Sequence, residues 1–157
     1  MAPRVHPSGG LINGSAGRVH ITRYTGSITL ELAQASWADY LVHLEGLGET
    51  ITPLVFIADK PLPLPPVEVR KFWRRITEDS GFEAIAMVIT GVVGLAAATV
   101  THLGEQLVGV LDVNIRSFKD SESAAEWLAN RYNCGIDEYD LQDSIDEVLK
   151  LDPDDLD

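Results

Sequence analysis

The chain has 157 residues, 45% of them hydrophobic, and its 24 acidic residues outnumber its 12 basic residues, giving a formal net charge of −12. This length suffices for one domain with a sizeable core. The acidic surplus repels phosphate groups, which argues against nucleic-acid binding and against adsorption to anionic membranes. The single cysteine cannot form an internal disulfide, and the first ten residues contain no apolar run of signal-peptide length. We therefore expect a cytoplasmic protein.

The acidity is concentrated at the end of the chain. Residues 134–157 hold 10 of the 24 acidic residues and one of the 12 basic residues, which leaves residues 1–133 with a formal charge of −3. The start of the chain is rich in Gly, Pro and Ser. We therefore predict a flexible leader at residues 1–17, a folded domain at residues 18–133 and an acidic amphipathic tail at residues 134–157.

The first elements after the leader predict a β-hairpin followed by a helix. Apolar and polar residues alternate over residues 19–23 and again over residues 28–32, with a turn at residues 24–27 between them. Ser36 is a favourable N-cap residue, and the apolar spacing after it predicts a first helix that ends near Gly48.

Strands and helices then alternate along the chain. The apolar runs at residues 52–58 and 84–89 predict strands that are covered on both faces. A second helix opens at Pro66, and a third spans about residues 92–111. Residues 84–104 contain no charged side chain and reach membrane-spanning length. Because this stretch divides into a β-branched strand and an Ala-rich helix without basic flanks, we predict no membrane insertion.

The last part of the domain predicts a short edge strand at residues 114–118 and a fourth helix. Asp120 or Ser121 caps this helix, and Gly135 ends it. The whole order predicts an α/β fold: a mixed β-sheet with parallel central strands and about four covering helices, followed by an acidic C-terminal helix or tail.

Residues that carry catalysis or bind metals show no recognisable pattern. The four histidines lack metal-ligand spacing, although His20 and His43 are expected to share a surface. Cys134 has no neighbouring base that would activate it. Thr90–Gly94 joins a strand to a helix, but it lacks the residues of a P-loop or a dinucleotide fingerprint. We therefore predict no metal, no cofactor and no enzymatic activity.

Two charged surfaces stand out instead. The second helix carries an apolar stripe on one side and a basic face on the other, formed by Arg70, Lys71, Arg74 and Arg75. This face is read as solvated, as a nucleic-acid contact or as a docking site for the acidic tail. The tail has an apolar edge that includes Leu141, Ile145, Val148 and Leu149. It either binds in a groove of its own body, of a second copy or of another protein, or it completes the core.

Three segments carry a family resemblance: residues 52–59, residues 84–89 and residues 118–128, in which Phe118 and an acidic cap precede an Ala-x-x-Trp-Leu helix. On these residues the chain resembles the STAS-like domain family, the fold of anti-sigma factor antagonists and sulphate transporters, and especially its bacterial SpoIIAA-like branch. The resemblance covers about residues 18–133. It implies a small non-enzymatic regulator that binds another protein.

The resemblance also implies a binding surface at the ends of two strands. Family members controlled by phosphorylation carry Ser or Thr just after the strand that ends in Asp, whereas residues 60–75 contain neither. A phosphorylation switch is therefore not predicted here. The expected partner surface comprises Asp59 and Lys60 after one strand, with Thr90 and Gly91 after the next.

The leading hypothesis is a protein-interaction module that binds a partner protein through the strand-end surface, the acidic tail, or both; homodimerisation remains open. The alternative is a carrier or sensor of a small apolar ligand. Its pocket would lie between the sheet and the third helix, lined by Val92, Leu95, Val100 and Leu103.

Overall fold

The computed structural model describes residues 3–58, 65–79, 81–89, 114–152 and 154. These ranges contain six strands and four helices. The strands are β1 (Arg4–Val5), β2 (Leu11–Ala16), β3 (Val19–Tyr24), β4 (Leu54–Ala58), β5 (Ile85–Ile89) and β6 (Ile115–Phe118). The helices are α1 (Leu30–Leu47), α2 (Val67–Asp79), α3 (Ser121–Arg131) and α4 (Glu138–Lys150).

All six strands form one sheet in the order of the sequence, from β1 to β6. The pairs β1–β2 and β2–β3 are antiparallel, whereas β3, β4, β5 and β6 pair in parallel. The prediction of an α/β fold with a mixed sheet and parallel central strands is therefore confirmed. Strands β4 and β5 are buried at every residue, as their continuous apolar runs predicted.

Helices cover both faces of this sheet. Successive residues of a strand point to opposite faces. Leu54 and Phe56 therefore pack with α1 and α2 on what we call the first face. Val55 and Ile57 pack with α3 and α4 on the second face. The distinction matters for function, because α2 and α4 lie on opposite sides of the sheet.

The first strand of the predicted hairpin, β3, pairs with a different strand from the one predicted. Strand β3 pairs with β2, and residues 30–32 begin α1 instead of forming a strand. Thr29 is the N-cap, since its side chain accepts a hydrogen bond from the backbone N–H of Leu32. The expected cap, Ser36, lies buried inside the helix. The alternation over residues 28–32 was misleading because it is too short to distinguish a strand from a capped first turn.

The leader is also more ordered than predicted over its second half. Leu11 and Ile12 are fully buried, and residues 11–16 form a strand along the whole length of β3. Gly17 turns the chain into β3 with φ of 56°, and a Cβ at this position would clash with the carbonyl oxygen of Cys134. The glycines and serine of this region therefore belong to a tight hairpin, which the composition alone did not distinguish from a mobile segment.

The second and fourth predicted helices are confirmed as α2 and α3. Pro66 directly precedes α2, whose stripe Val69, Phe72, Trp73 and Ile76 is buried. Asp120 caps α3 through a hydrogen bond from the Ser123 N–H, although α3 ends before Gly135, with Tyr132 as its C-cap. The predicted third helix lies outside the described residues. Within the described ranges, no helix has both the length and the apolar character needed to cross a membrane.

The acidic tail forms α4, whose apolar edge packs on the second face. Leu141, Ile145 and Val148 are fully buried, and Leu149 is partly buried against the same core. Asp137 caps the helix by accepting a hydrogen bond from the Asp140 N–H. Residues 138–150 thus complete the core of the domain, which was one of the alternatives left open by the sequence.

Candidate functional site

The strand-end surface predicted from the sequence follows β4 and β5. These two strands are parallel neighbours, and their last residues, Ala58 and Ile89, are register partners. The strands that precede the predicted surface residues therefore end side by side at one edge of the sheet. Asp59, Lys60, Thr90 and Gly91 themselves lie outside the described residues.

The basic face of α2 is turned away from the core. Lys71, Arg74 and Arg75 are exposed, while Arg70 is half-buried and donates a hydrogen bond from Nε to the Pro65 carbonyl oxygen at 3.1 Å. The guanidinium of Arg75 lies 5.7 Å from the centre of the Phe72 ring. None of these four side chains forms an ion pair with another described residue.

The acidic helix α4 lies on the opposite side of the sheet from the basic face of α2. Within the described residues, α4 therefore does not dock on that face, which was one of the interpretations that the sequence left open. The end of α4 instead contacts Arg23, whose Nη1 donates to the carbonyl oxygens of Val148 at 2.8 Å and Leu151 at 2.6 Å. Asp146 accepts a hydrogen bond from the Ser121 hydroxyl at 2.6 Å, which ties α4 to α3.

A buried polar layer lies between α1 and β3, and the sequence analysis missed it. We define this polar layer as His20, Thr22, Ser36, Tyr40 and His43. All five are buried on the first face. The hydroxyls of Thr22 and Ser36 are 2.9 Å apart, and Nε2 of His43 lies 3.0 Å from the Arg18 carbonyl oxygen, to which it donates.

Tyr40 connects this polar layer to the loops beside it. Its hydroxyl accepts a hydrogen bond from the Thr52 N–H at 3.0 Å and donates toward the Gly81 carbonyl oxygen at 3.3 Å. The ring centres of His20 and Tyr40 are 5.7 Å apart, and those of His20 and His43 are 5.5 Å apart. The two histidines therefore do come together, as expected, but inside the protein and not on its surface.

His20 differs from the rest of the polar layer in lacking hydrogen-bond partners. It is 3% exposed, and neither ring nitrogen has a partner among the described residues. Burial, with smaller contributions from His43 and Arg4, lowers the pKa of His20 from 6.5 to about 3. The imidazole is therefore neutral at physiological pH, with one nitrogen that donates and one that accepts.

A cavity of about 40 Å³ adjoins this histidine. Its polar lining comes from His20, Thr22, Tyr24, Ser36 and Tyr40, and its apolar lining comes from both α-helices of the first face and from strands β4 to β6. Among the described residues, no Asp, Glu, Lys or Arg side chain lines it. No sequence signal distinguished this site, because His20 and Thr22 alternate with Val19 and Ile21 as in a strand with one solvent-exposed face.

Cys134 is buried, and burial raises the pKa of its thiol to about 11, which keeps the sulfur protonated. In the ranges that the structure describes, no three side chains of His, Cys, Asp or Glu are arranged to hold a metal ion.

The shifted pKa of His20 makes stability depend on pH. The unfolded chain binds a proton at this residue below pH 6.5, whereas the folded chain does so only near pH 3. The free energy of unfolding is therefore expected to fall with falling pH in this window, by about 2 kcal/mol between pH 7 and pH 5 from this group. Urea unfolding of the wild type and His20→Phe at both pH values measures the effect. Equal losses of stability in the two proteins would contradict it.

No family model matches the chain, and no curated protein or solved structure is significantly similar to it.

Proposed function

We propose that this chain is a non-enzymatic protein-interaction module with a STAS-like body, which binds an acidic surface of a partner protein through the basic face of α2. The observation that supports this most is the exposure of Lys71, Arg74 and Arg75 without an acidic partner among the described residues. The same proposal includes the residues that follow β4 and β5, which are Asp59, Lys60, Thr90 and Gly91.

The charge distribution of the chain favours binding of an acidic partner at α2 over binding elsewhere. Acidic residues outnumber basic ones two to one in this chain, yet the acidic residues of α2, Glu68, Glu78 and Asp79, lie at its two ends. Its exposed middle turns are basic. An acidic partner is attracted to this one region and repelled by most of the remaining surface, which orients the encounter.

The apolar edge of the tail is not included in the proposed partner-binding surface. Leu141, Ile145 and Val148 are already buried in their own fold, and Leu149 packs beside them. A partner protein would have to detach α4 to reach them. We therefore place the binding surface on α2 and assign α4 to the support of the sheet.

The pKa values of the buried His20 and Cys134 support a function without catalysis. General acid–base catalysis works best with a pKa near the operating pH. Burial moves the pKa of His20 down to about 3 and that of the Cys134 thiol up to about 11, both away from neutrality.

Charge reversal on α2 tests the proposal. The triple variant Lys71→Glu, Arg74→Glu, Arg75→Glu is expected to reduce capture of the partner from a lysate of the source organism at least tenfold, because three attractive charges become repulsive. Quantitative mass spectrometry of the captured proteins measures this. The free energy of unfolding should change by no more than about 0.5 kcal/mol per exposed substitution.

A matched control has the same change in net charge on another part of the molecule. Arg116→Glu, Lys119→Glu and Arg131→Glu alter exposed residues on and beside β6 and α3. This variant should keep the partner, and capture by the wild type should weaken as salt screens the contact. Loss of the partner in both variants, or in neither, would refute binding by the basic face.

A further inference from the structure

The cavity beside His20 carries an inference that is independent of partner binding at α2. We propose that it is a binding site for a small uncharged ring compound that bears one hydrogen-bonding group, with His20 as the residue that recognises that group. The described lining comes mainly from α1, α2 and the sheet, and the proposed ligand is amphipathic, whereas the alternative predicted from the sequence is a purely apolar ligand.

The hydrogen bonds already made in the cavity wall leave His20 as the side chain that binds the polar group of the ligand. Thr22 and Ser36 bond to each other, and the Tyr40 hydroxyl bonds to backbone groups of Thr52 and Gly81. His20 alone among these side chains has both nitrogen atoms without a partner among the described residues. A buried polar group without a hydrogen-bond partner is destabilising, so a ligand that bonds to His20 removes this unfavourable contribution.

The charge of the ligand follows from the same wall. His20 is neutral at physiological pH, and the described lining contains no Asp, Glu, Lys or Arg side chain. A charged ligand would lose its hydration without gaining an opposite charge in return. The site therefore selects an uncharged hydroxyl, N–H or carbonyl group.

The body of the ligand is selected by aromatic walls. Phe56 and Trp73 line the cavity with ring centres 6.2 Å apart, and Trp37 and Phe82, which also line it, meet edge to face. Such walls suit a flat ring.

The volume of about 40 Å³ is smaller than a five- or six-membered ring. Binding of a ring therefore requires side chains of the wall to move apart as it enters, and we assign this movement to Trp37 and Phe82, which are only half-buried.

Methionine methyl groups report on this site directly. The chain contains two methionines, Met1 and Met87, and Met87 lines the cavity. Full-length protein labelled with ¹³C at the methionine methyls is titrated with phenol and with pyrazole, two uncharged rings that hydrogen-bond. Toluene serves as the apolar control and benzoate as the charged control. We expect phenol and pyrazole to shift the Met87 signal saturably and to leave the Met1 signal in place, while benzoate shifts neither.

Two variants separate recognition by His20 from simple filling of a void. His20→Phe keeps a ring and removes the nitrogens; it is expected to bind phenol about tenfold more weakly than the wild type and toluene at least as well. Ala33→Leu introduces a larger side chain into the cavity wall and should abolish the binding of both rings. Each variant is checked for cooperative thermal unfolding, so that one supports the test if the other fails to fold.

Two outcomes would overturn the inference. They are the absence of a Met87 shift with both phenol and pyrazole, which would leave water as the occupant, and equal phenol affinities in the wild type and His20→Phe. Neither outcome affects capture of a partner through α2, so failure here is distinguishable from failure of the proposed function.

Discussion

Replacement of Ile145 by alanine is expected to lower the free energy of unfolding by about 2–5 kcal/mol. Ile145 is fully buried at the centre of the α4 stripe, between Leu141 and Val148, and packs on the second face of the sheet. The substitution leaves a cavity that the rigid sheet cannot close. Chemical denaturation monitored by circular dichroism measures the loss. For the same reason, a chain truncated after Asn133 is expected not to fold.

Glu147→Ala is the matched control, because Glu147 is exposed on the same helix. It should change the free energy of unfolding by no more than about 0.5 kcal/mol. Similar small effects at both positions, or a cooperative unfolding transition in the truncated chain, would show that α4 is an independent appendage.

Replacement of Arg23 by methionine is expected to cost about 2–4 kcal/mol of stability. The Arg23 guanidinium is buried beneath the end of α4 and donates to the carbonyl oxygens of Val148 and Leu151 at the C-terminal end of the helix. Methionine keeps much of the apolar stem but removes both bonds, and among the described residues the Val148 carbonyl oxygen then keeps only the 3.4 Å bond from the Leu151 N–H. The exposed Arg131 provides the control Arg131→Met, which should cost far less in the same denaturation assay. Equal costs would contradict an anchoring role for Arg23.

The central layer of the fold was predictable because its signals are local and strong. The runs that became β4 and β5 are uniformly apolar, and the α2 stripe repeats at helical spacing beside Pro66. Asp120 predicted the start of α3, because its side chain caps that helix. The signals that predict each of these elements lie within the element or directly beside it in the sequence.

The beginning and end of the chain were harder because their structure depends on distant partners. Gly17 looks like part of a mobile leader, but its close approach to Cys134 is a contact between segments more than a hundred residues apart. The apolar edge of α4 was visible in the sequence, whereas the face of the sheet that it covers was not. Arg23 gave no sign of its role, since its bonds are to backbone atoms of α4.

The candidate cavity was the part least accessible to sequence reasoning. Four of its polar side chains come from two elements, and the first turn of α1 had been interpreted as a strand. Once Thr29 is recognised as the cap, Ser36, Tyr40 and His43 fall on one side of α1 and oppose His20 and Thr22. A polar residue in a buried strand is therefore worth examining as a site even when no motif accompanies it.

Photo-crosslinking from the two sides of the sheet would locate the partner surface most directly. A benzophenone amino acid replaces Val67, which is 54% exposed near the start of α2, or Tyr139, which is 70% exposed near the start of α4. Binding through the basic face predicts a partner adduct from position 67 that disappears when Lys71, Arg74 and Arg75 are changed to Glu, and no adduct from position 139. An adduct from position 139 alone, or from neither position, would contradict that binding mode.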